Sequence, residues 1–176
     1  MPVNIVLQGL QDVGITQEIP EPGTTIKENS FLKANYVIDF LKDKNCSVFA
    51  DDSGLEVEAL NNAPGVYSAR YAGIPKNDEA NNKKLLQELN AKTNRKAKFV
   101  TIITLIINKE VYYFEGEIKG TIAFEPRGNT GFGYDPLFIP QGYRSTFAEL
   151  SAETKNQISH RGLAVKQLID FLEKTV

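Results

Sequence analysis

Apolar and polar positions along this chain change their period several times, and each change marks an element. The opening residues 3–7, Val-Asn-Ile-Val-Leu, are short, apolar and β-branched, which predicts a strand closed by the turn-forming Asp12-Val13-Gly14. At Thr25-Ile26-Lys27-Glu28 the spacing matches a capping box, and Phe31, Leu32, Ala34, Val37, Ile38 and Leu41 then recur at helical intervals. A helix from about 26 to 42 is expected. The run Cys46-Ser47-Val48-Phe49-Ala50 stops at two acids and predicts a buried strand that delivers Asp51 and Asp52 at its end. Residues 61–75 are dense in turn formers, so Tyr67, Ser68, Arg70 and Tyr71 fall on an ordered loop. A helix capped near Asn77 or Asp78 follows, carrying Leu85, Leu86 and Leu89.

Two long strands, 97–107 and 111–124, come next, with Asn108-Lys109-Glu110 as a hairpin turn. A glycine-rich stretch, 127–136, then leads through a short strand at Leu137, Phe138 and Ile139 to a final helix from about 151 to 174. The buried stripe of that helix is expected at Leu163, Val165, Leu168, Ile169 and Leu172. Helices and strands alternate at both ends around a central hairpin. That pattern argues an α/β fold with an elongated mixed sheet and flanking helices, folded as one domain over residues 1–176.

Composition narrows the function classes. The chain has 176 residues and 41% apolar content, enough for a substantial core. With 20 basic and 22 acidic residues the formal charge is −2, so no overall basic field exists for wrapping a nucleic acid polymer or docking on an anionic membrane. The single cysteine, Cys46, cannot form an internal disulfide, the N-terminus lacks a secretory pattern, and the apolar run 99–107 is too short to span a bilayer. A cytoplasmic protein is expected.

Three clusters carry possible chemistry. The pair Asp51-Asp52, followed by Ser53-Gly54, can hold Mg²⁺ through carboxylate oxygen, although acids with Ser and Gly are also ordinary turn material. Glu28 is accounted for by the helix cap. Glu21, between Pro20 and Pro22, has no helix to serve and is the preferred second metal-side acid. The loop Gly131-Phe132-Gly133-Tyr134-Asp135 combines glycines for close backbone approach, aromatics able to stack on a base, and an acid able to accept base N–H donors. As a lone pattern it equally describes a packed turn. The third cluster is Lys155, His160 and Arg161, placed at the start of a helix, where cations oppose the dipole's preference and suit an external anion or base. With one histidine and one cysteine, a multi-ligand zinc site is excluded, and no Gly-x-Ser-x-Gly elbow exists for a serine nucleophile.

Taken together, Ala50-Asp51-Asp52-Ser53-Gly54-Leu55, Ala63-Pro64-Gly65-Val66-Tyr67-Ser68-Ala69-Arg70-Tyr71, Gly131-Phe132-Gly133-Tyr134-Asp135-Pro136 and Ser159-His160-Arg161-Gly162 resemble the inosine/xanthosine triphosphate pyrophosphatase family, in the family's order. The resemblance implies cleavage of ITP, dITP and XTP to the monophosphate and pyrophosphate. It implies a homodimer with two lobes around a nucleotide cleft, and Mg²⁺ as cofactor. Residue by residue, it implies Asp52 as the catalytic acid that activates water and binds metal, Ser53 at the substrate, and Glu21 on the metal side. Phe132, Gly133, Tyr134, Asp135, Lys155, His160 and Arg161 then take the base-recognition positions. Selection of hypoxanthine and xanthine would rest on the 6-oxo group, an acceptor suited to cationic or N–H donors such as His160 and Arg161.

The chain departs from that family at its start. The family's opening strand, its Thr-Gly-Asn or Thr-Asn-Asn loop and the following lysine have no counterpart, so residues 3–7 match the family's second strand and roughly 20 residues are missing. An N-terminally truncated domain is therefore expected, with weakened hold on the phosphates. Two rival readings stand beside the enzyme: a nucleotide-binding protein with little or no turnover, and a pyrophosphatase of another nucleotide class.

Overall fold

The fold follows from how one long antiparallel ribbon is covered on its two faces. The computed structural model describes residues 5–42 and 46–175. Its elements run α1 (Ile26–Leu41), β1 (Val48–Val57), two short 3₁₀ turns (Glu58–Leu60 and Gly65–Arg70), α2 (Asp78–Glu88), β2 (Lys96–Ile107), β3 (Glu110–Ile122), β4 (Phe138–Pro140), α3 (Ala152–Ile158) and α4 (His160–Thr175). The four strands form one sheet in the order β1-β2-β3-β4, and every pairing between them is antiparallel. The α/β class and the flanking helices are as the sequence predicts; the sheet, expected to be mixed, is antiparallel throughout the described residues, since each strand pairs with its neighbour in chain order. No helix among the described residues is long and apolar enough to cross a membrane.

The capping box starts α1 as expected: Thr25 accepts a hydrogen bond from the Glu28 N–H, and the Glu28 carboxylate reaches back to the Thr24 N–H at 2.8 Å. The β2–β3 hairpin is tighter than predicted. Asn108 and Lys109 alone make the turn, both at positive φ (53° and 67°), the backbone of a two-residue turn whose twist matches the strands.

Side-chain alternation divides the sheet. Ile103, Leu105, Ile107 and Phe114 pack with Ala164, Leu168 and Leu172 of α4, whereas Val48 and Ile106 pack with Ala34 and Val37 of α1. A third cluster, including Leu55, Leu85, Leu89, Phe99, Phe138 and Phe147, closes the other end of the sheet beneath α2. Gly116 of β3 lets α4 seat closely, since a Cβ there would lie 1.9 Å from the His160 carbonyl oxygen.

Four further expectations need correction. Residues 5–7 form no strand: they have no ladder partner, and Val6 is 86% exposed, because β-branched sequence alone does not make a strand without a neighbour to pair. Residues 3 and 4 lie outside the described set. The strand expected to end at the acids instead runs on to Val57, so Asp51 and Asp52 sit within it, opposite Ile103 and Ile102. The turn-rich segment after it holds the 3₁₀ turn Gly65–Arg70. The last helix is two: Ser159 adopts an extended conformation (φ −67°, ψ 148°), ends α3, and accepts the Gly162 N–H to start α4. The buried stripe of α4 is accordingly His160, Ala164, Leu168 and Leu172, with Val165 exposed and Leu163 and Ile169 half-buried.

Candidate active site

Strand alternation separates the two adjacent acids. Asp51, opposite Ile103, faces α4, where Arg161 Nε and Nη2 donate to its Oδ2 at 3.1 and 3.0 Å. Asp52, opposite Ile102, faces α1, and its Oδ1 accepts from the Lys33 ammonium at 2.9 Å. The same ammonium donates to Glu21 Oε1 at 2.8 Å. Glu21 is tethered a second time by Arg70, whose Nη1 lies 3.5 Å from Oε2 and whose Nη2 donates to the Glu21 carbonyl at 3.4 Å. The two carboxylates singled out in the sequence, 31 positions apart, thus share one half-buried cation.

Burial pushes the Asp52 carboxyl above its ordinary 3.8, and the Lys33 hydrogen bond and charge offset this only in part. Burial also works against the Lys33 charge, yet the hydrogen bonds and charges of Glu21 and Asp52 hold it above its ordinary 10.5. Asp52 is thus a more basic carboxylate than an ordinary aspartate, and it faces a lysine held more firmly in its charged form. A carboxylate tuned upward beside a fixed cation is what a general base requires.

Across the β1 edge lies a cavity of about 730 Å³, a volume suited to a nucleotide. Ser53, Gly54, Phe132, Lys155, His160 and Arg161 are among its walls. Ser53 is thus the link: it lines the cavity while its neighbour Asp52 faces the α1 side. Its Oγ pairs with Thr101 Oγ1 at 2.7 Å.

The glycine-rich loop is built to present Phe132. Gly131, at φ +82°, has no room for a Cβ, which would meet Asp135 Oδ2 at 2.1 Å. Asp135 is buried, and its Oδ2 accepts both the Phe132 N–H at 2.8 Å and the Lys155 ammonium. That oxygen is committed to holding the loop and Lys155, not to a base. Tyr134 is buried too, its hydroxyl donating to the Ser68 carbonyl at 2.8 Å, so it does not offer the stacking face expected of it. Phe132, 60% exposed, does; Lys155 Nζ lies 4.8 Å and Arg161 Cζ 5.9 Å from its ring centroid.

Lys155 and His160 also differ from expectation. Lys155 lies in the last turn of α3, where the helix dipole favours a cation, so the argument from an opposed dipole fails for it. His160 opens α4 and stacks on Phe99, with ring centroids 4.6 Å apart. Burial first, then the charges of Arg161 and Lys155, push its pKa down to about 3. It is a neutral imidazole, not a cation, and its buried Nδ1 has no protein partner.

Lys33 is the site residue that the sequence motifs do not mark. Its only signal is a charge in line with the buried face of α1, in the series Ile26, Ser30, Lys33, Val37. The Tyr67 to Tyr71 block has a structural explanation: Ser68 Oγ donates to the Gly65 carbonyl and accepts the Leu55 N–H.

Comparison with known proteins gives this arrangement a family. The Ham1 family model matches residues 2–171. A Porphyromonas gingivalis protein named dITP/XTP pyrophosphatase is 54% identical over 169 residues, covering 96% of this chain and 86% of its own. A Flavobacterium psychrophilum protein of the same name is 51% identical, covering 98% and 90% respectively. The solved structure of the Staphylococcus aureus Ham1 protein superposes with a TM-score of 0.90 at 45% identity, over 96% of this chain and 87% of that one. With likeness of sequence and backbone running over nearly its whole length, this chain belongs to the Ham1 family.

Proposed function

We propose that the chain hydrolyses non-standard purine nucleoside triphosphates (dITP, XTP and ITP) to the monophosphate and pyrophosphate, with Asp52 as general base and Mg²⁺ as cofactor. The relatives named dITP/XTP pyrophosphatase support the reaction. The observation that carries the site is the Asp52–Lys33–Glu21 cluster, one residue along β1 from a wall of the nucleotide-sized cavity.

The donor set suits Mg²⁺, since both acids offer oxygen and already converge on one cationic atom. No group of three or more metal-ligating side chains occurs among the described residues, so Asp52 and Glu21 would hold the ion jointly with phosphate oxygens and water. When bound, Mg²⁺ neutralises charge on those oxygens. The chain's own residues do the rest. The base enters beside Phe132, and the triphosphate passes Ser53 toward the α1 face of β1. Asp52 takes a proton from water as the water oxygen bonds to the α-phosphorus and the bond to the bridging oxygen breaks, releasing pyrophosphate. Lys33 keeps the Asp52 carboxylate aimed and ionised, and adds positive charge where negative charge moves.

Lys155, Arg161 and the unpartnered ring nitrogen of His160 supply donors around the base. A 6-oxo purine meets them with an acceptor, whereas adenine brings a 6-amino donor that these donors cannot pair with. We take the working unit to be a cytoplasmic homodimer, as the family resemblance implies.

The test is pyrophosphate release from dITP, XTP, GTP and ATP with Mg²⁺, with Asp52→Asn alongside. The reading expects selective release from dITP and XTP, reduced by at least about a hundredfold in Asp52→Asn. Tight nucleotide binding without release in the unmodified protein would instead support a binding protein.

A further inference from the structure

The Phe132 loop is fixed from outside by one helix. Asp78 and Asn82, four positions apart on α2 and so on one face of it, take hold of opposite sides of a single loop residue. Asp78 Oδ2 accepts the Gly133 N–H at 2.7 Å, and Asn82 Nδ2 donates to the Gly133 carbonyl at 2.9 Å. Gly133 directly follows Phe132 and has φ +60°, so the backbone conformation that turns the loop is the one these two side chains grip.

Asp78 Oδ1 and Asn82 Oδ1 are both buried and accept no hydrogen bond, the nearest cation to the former being Lys76 Nζ at 3.6 Å. An apolar pair at these positions would leave the Gly133 N–H and carbonyl without their partners, so the two side chains are tied to this one loop residue. Two polar side chains that grip both sides of one peptide residue beside the base cavity indicate a role in placement. Asp78 itself lines that cavity.

We propose that Asp78 and Asn82 are positioning residues for base recognition: by clamping Gly133 they set where the Phe132 ring stands, and so govern how tightly the purine is held without touching the triphosphate. This rests on the dITP pyrophosphatase reading. Asn82→Leu removes the donor and the orphan acceptor together, Asp78→Ala removes the acceptor, and Asp78→Asn keeps one. The experiment measures kcat and KM for dITP, binding of dIMP and of inorganic pyrophosphate by calorimetry, and Tm.

Asn82→Leu and Asp78→Ala are expected to raise KM for dITP and Kd for dIMP by roughly tenfold each, with Asp78→Asn staying within about threefold. Pyrophosphate affinity and kcat should stay within about twofold. An unchanged KM, an equal weakening of pyrophosphate, or a lower kcat and Tm at constant KM would overturn the clamp and leave Asp78 and Asn82 as ordinary packing. If the unmodified protein fails to turn over dITP, the proposed reaction is at fault, and dIMP binding in the variants still decides the clamp.

Discussion

Lowering the pH from 7 to 5 should destabilise this protein through one identifiable group, His160. Its imidazole is nine-tenths buried, stacked on Phe99 at an interplanar angle of 9°, and its pKa falls from 6.5 to about 3. The unfolded chain's imidazole takes up a proton below 6.5, and the folded one does not until about 3. Between those values the unfolded state binds more protons, so the stability contributed by the neutral, buried ring is complete above 6.5 and is lost as the pH falls. At pH 5 the deficit is about 2 kcal/mol, from about 1.4 kcal/mol for each of the roughly 1.5 pH units below the ordinary value. For a chain of this length that corresponds to about 4–8 °C in Tm. Calorimetric melting of the unmodified protein and of His160→Phe, each at pH 7 and pH 5, isolates the effect. Phenylalanine keeps a ring to stack on Phe99 and cannot titrate, so the variant should lose less Tm on acidification by that amount. Equal losses in the two proteins would refute the neutral-imidazole assignment.

Removing the shared cation tests the catalytic cluster from its centre. Lys33→Met should lower kcat by about two orders of magnitude. It should also move the acid limb of the pH–rate profile to higher pH, because the Lys33 hydrogen bond and charge act to lower the Asp52 pKa; a limb that stays in place would contradict Asp52 as the base. Gly116→Ala puts a Cβ 1.9 Å from the His160 carbonyl and 2.7 Å from the Ala164 nitrogen, forcing α4 off β3. It should cost roughly 2–3 kcal/mol in urea unfolding, and an unchanged midpoint would show that α4 seats with more slack than described.

Much of the architecture was legible because local signals and tertiary packing agree in it. The α1 capping box, the Asn77 cap and the long apolar strands each specify their element from neighbours a few residues away. Residues 5–7 were misread for the opposite reason: a strand is a property of a pair, and the sequence of one member carries no partner. The break at Ser159 was hidden because helical periodicity continues on both sides of it, while the cap that restarts α4 is one hydroxyl. At the site, residue types located the acids and the aromatic loop, since carboxylates and glycines are conspicuous. What the sequence could not give is which groups spend their hydrogen bonds on the protein. Asp135 and Tyr134 do, which leaves the Phe132 ring as the exposed face, and this follows from contacts to Lys155 and Ser68, 20 and 66 positions away. Lys33 was overlooked because a lysine in a helix is ordinarily a solvated one, and only its place on the buried stripe marks it.

Hydrolysis of dITP in ¹⁸O-labelled water reports which phosphorus the activated water attacks. With Asp52 as the base and the triphosphate leading past Ser53, the label should appear in dIMP and the other product should be unlabelled pyrophosphate. Label in pyrophosphate, or release of orthophosphate with dIDP, would contradict the account.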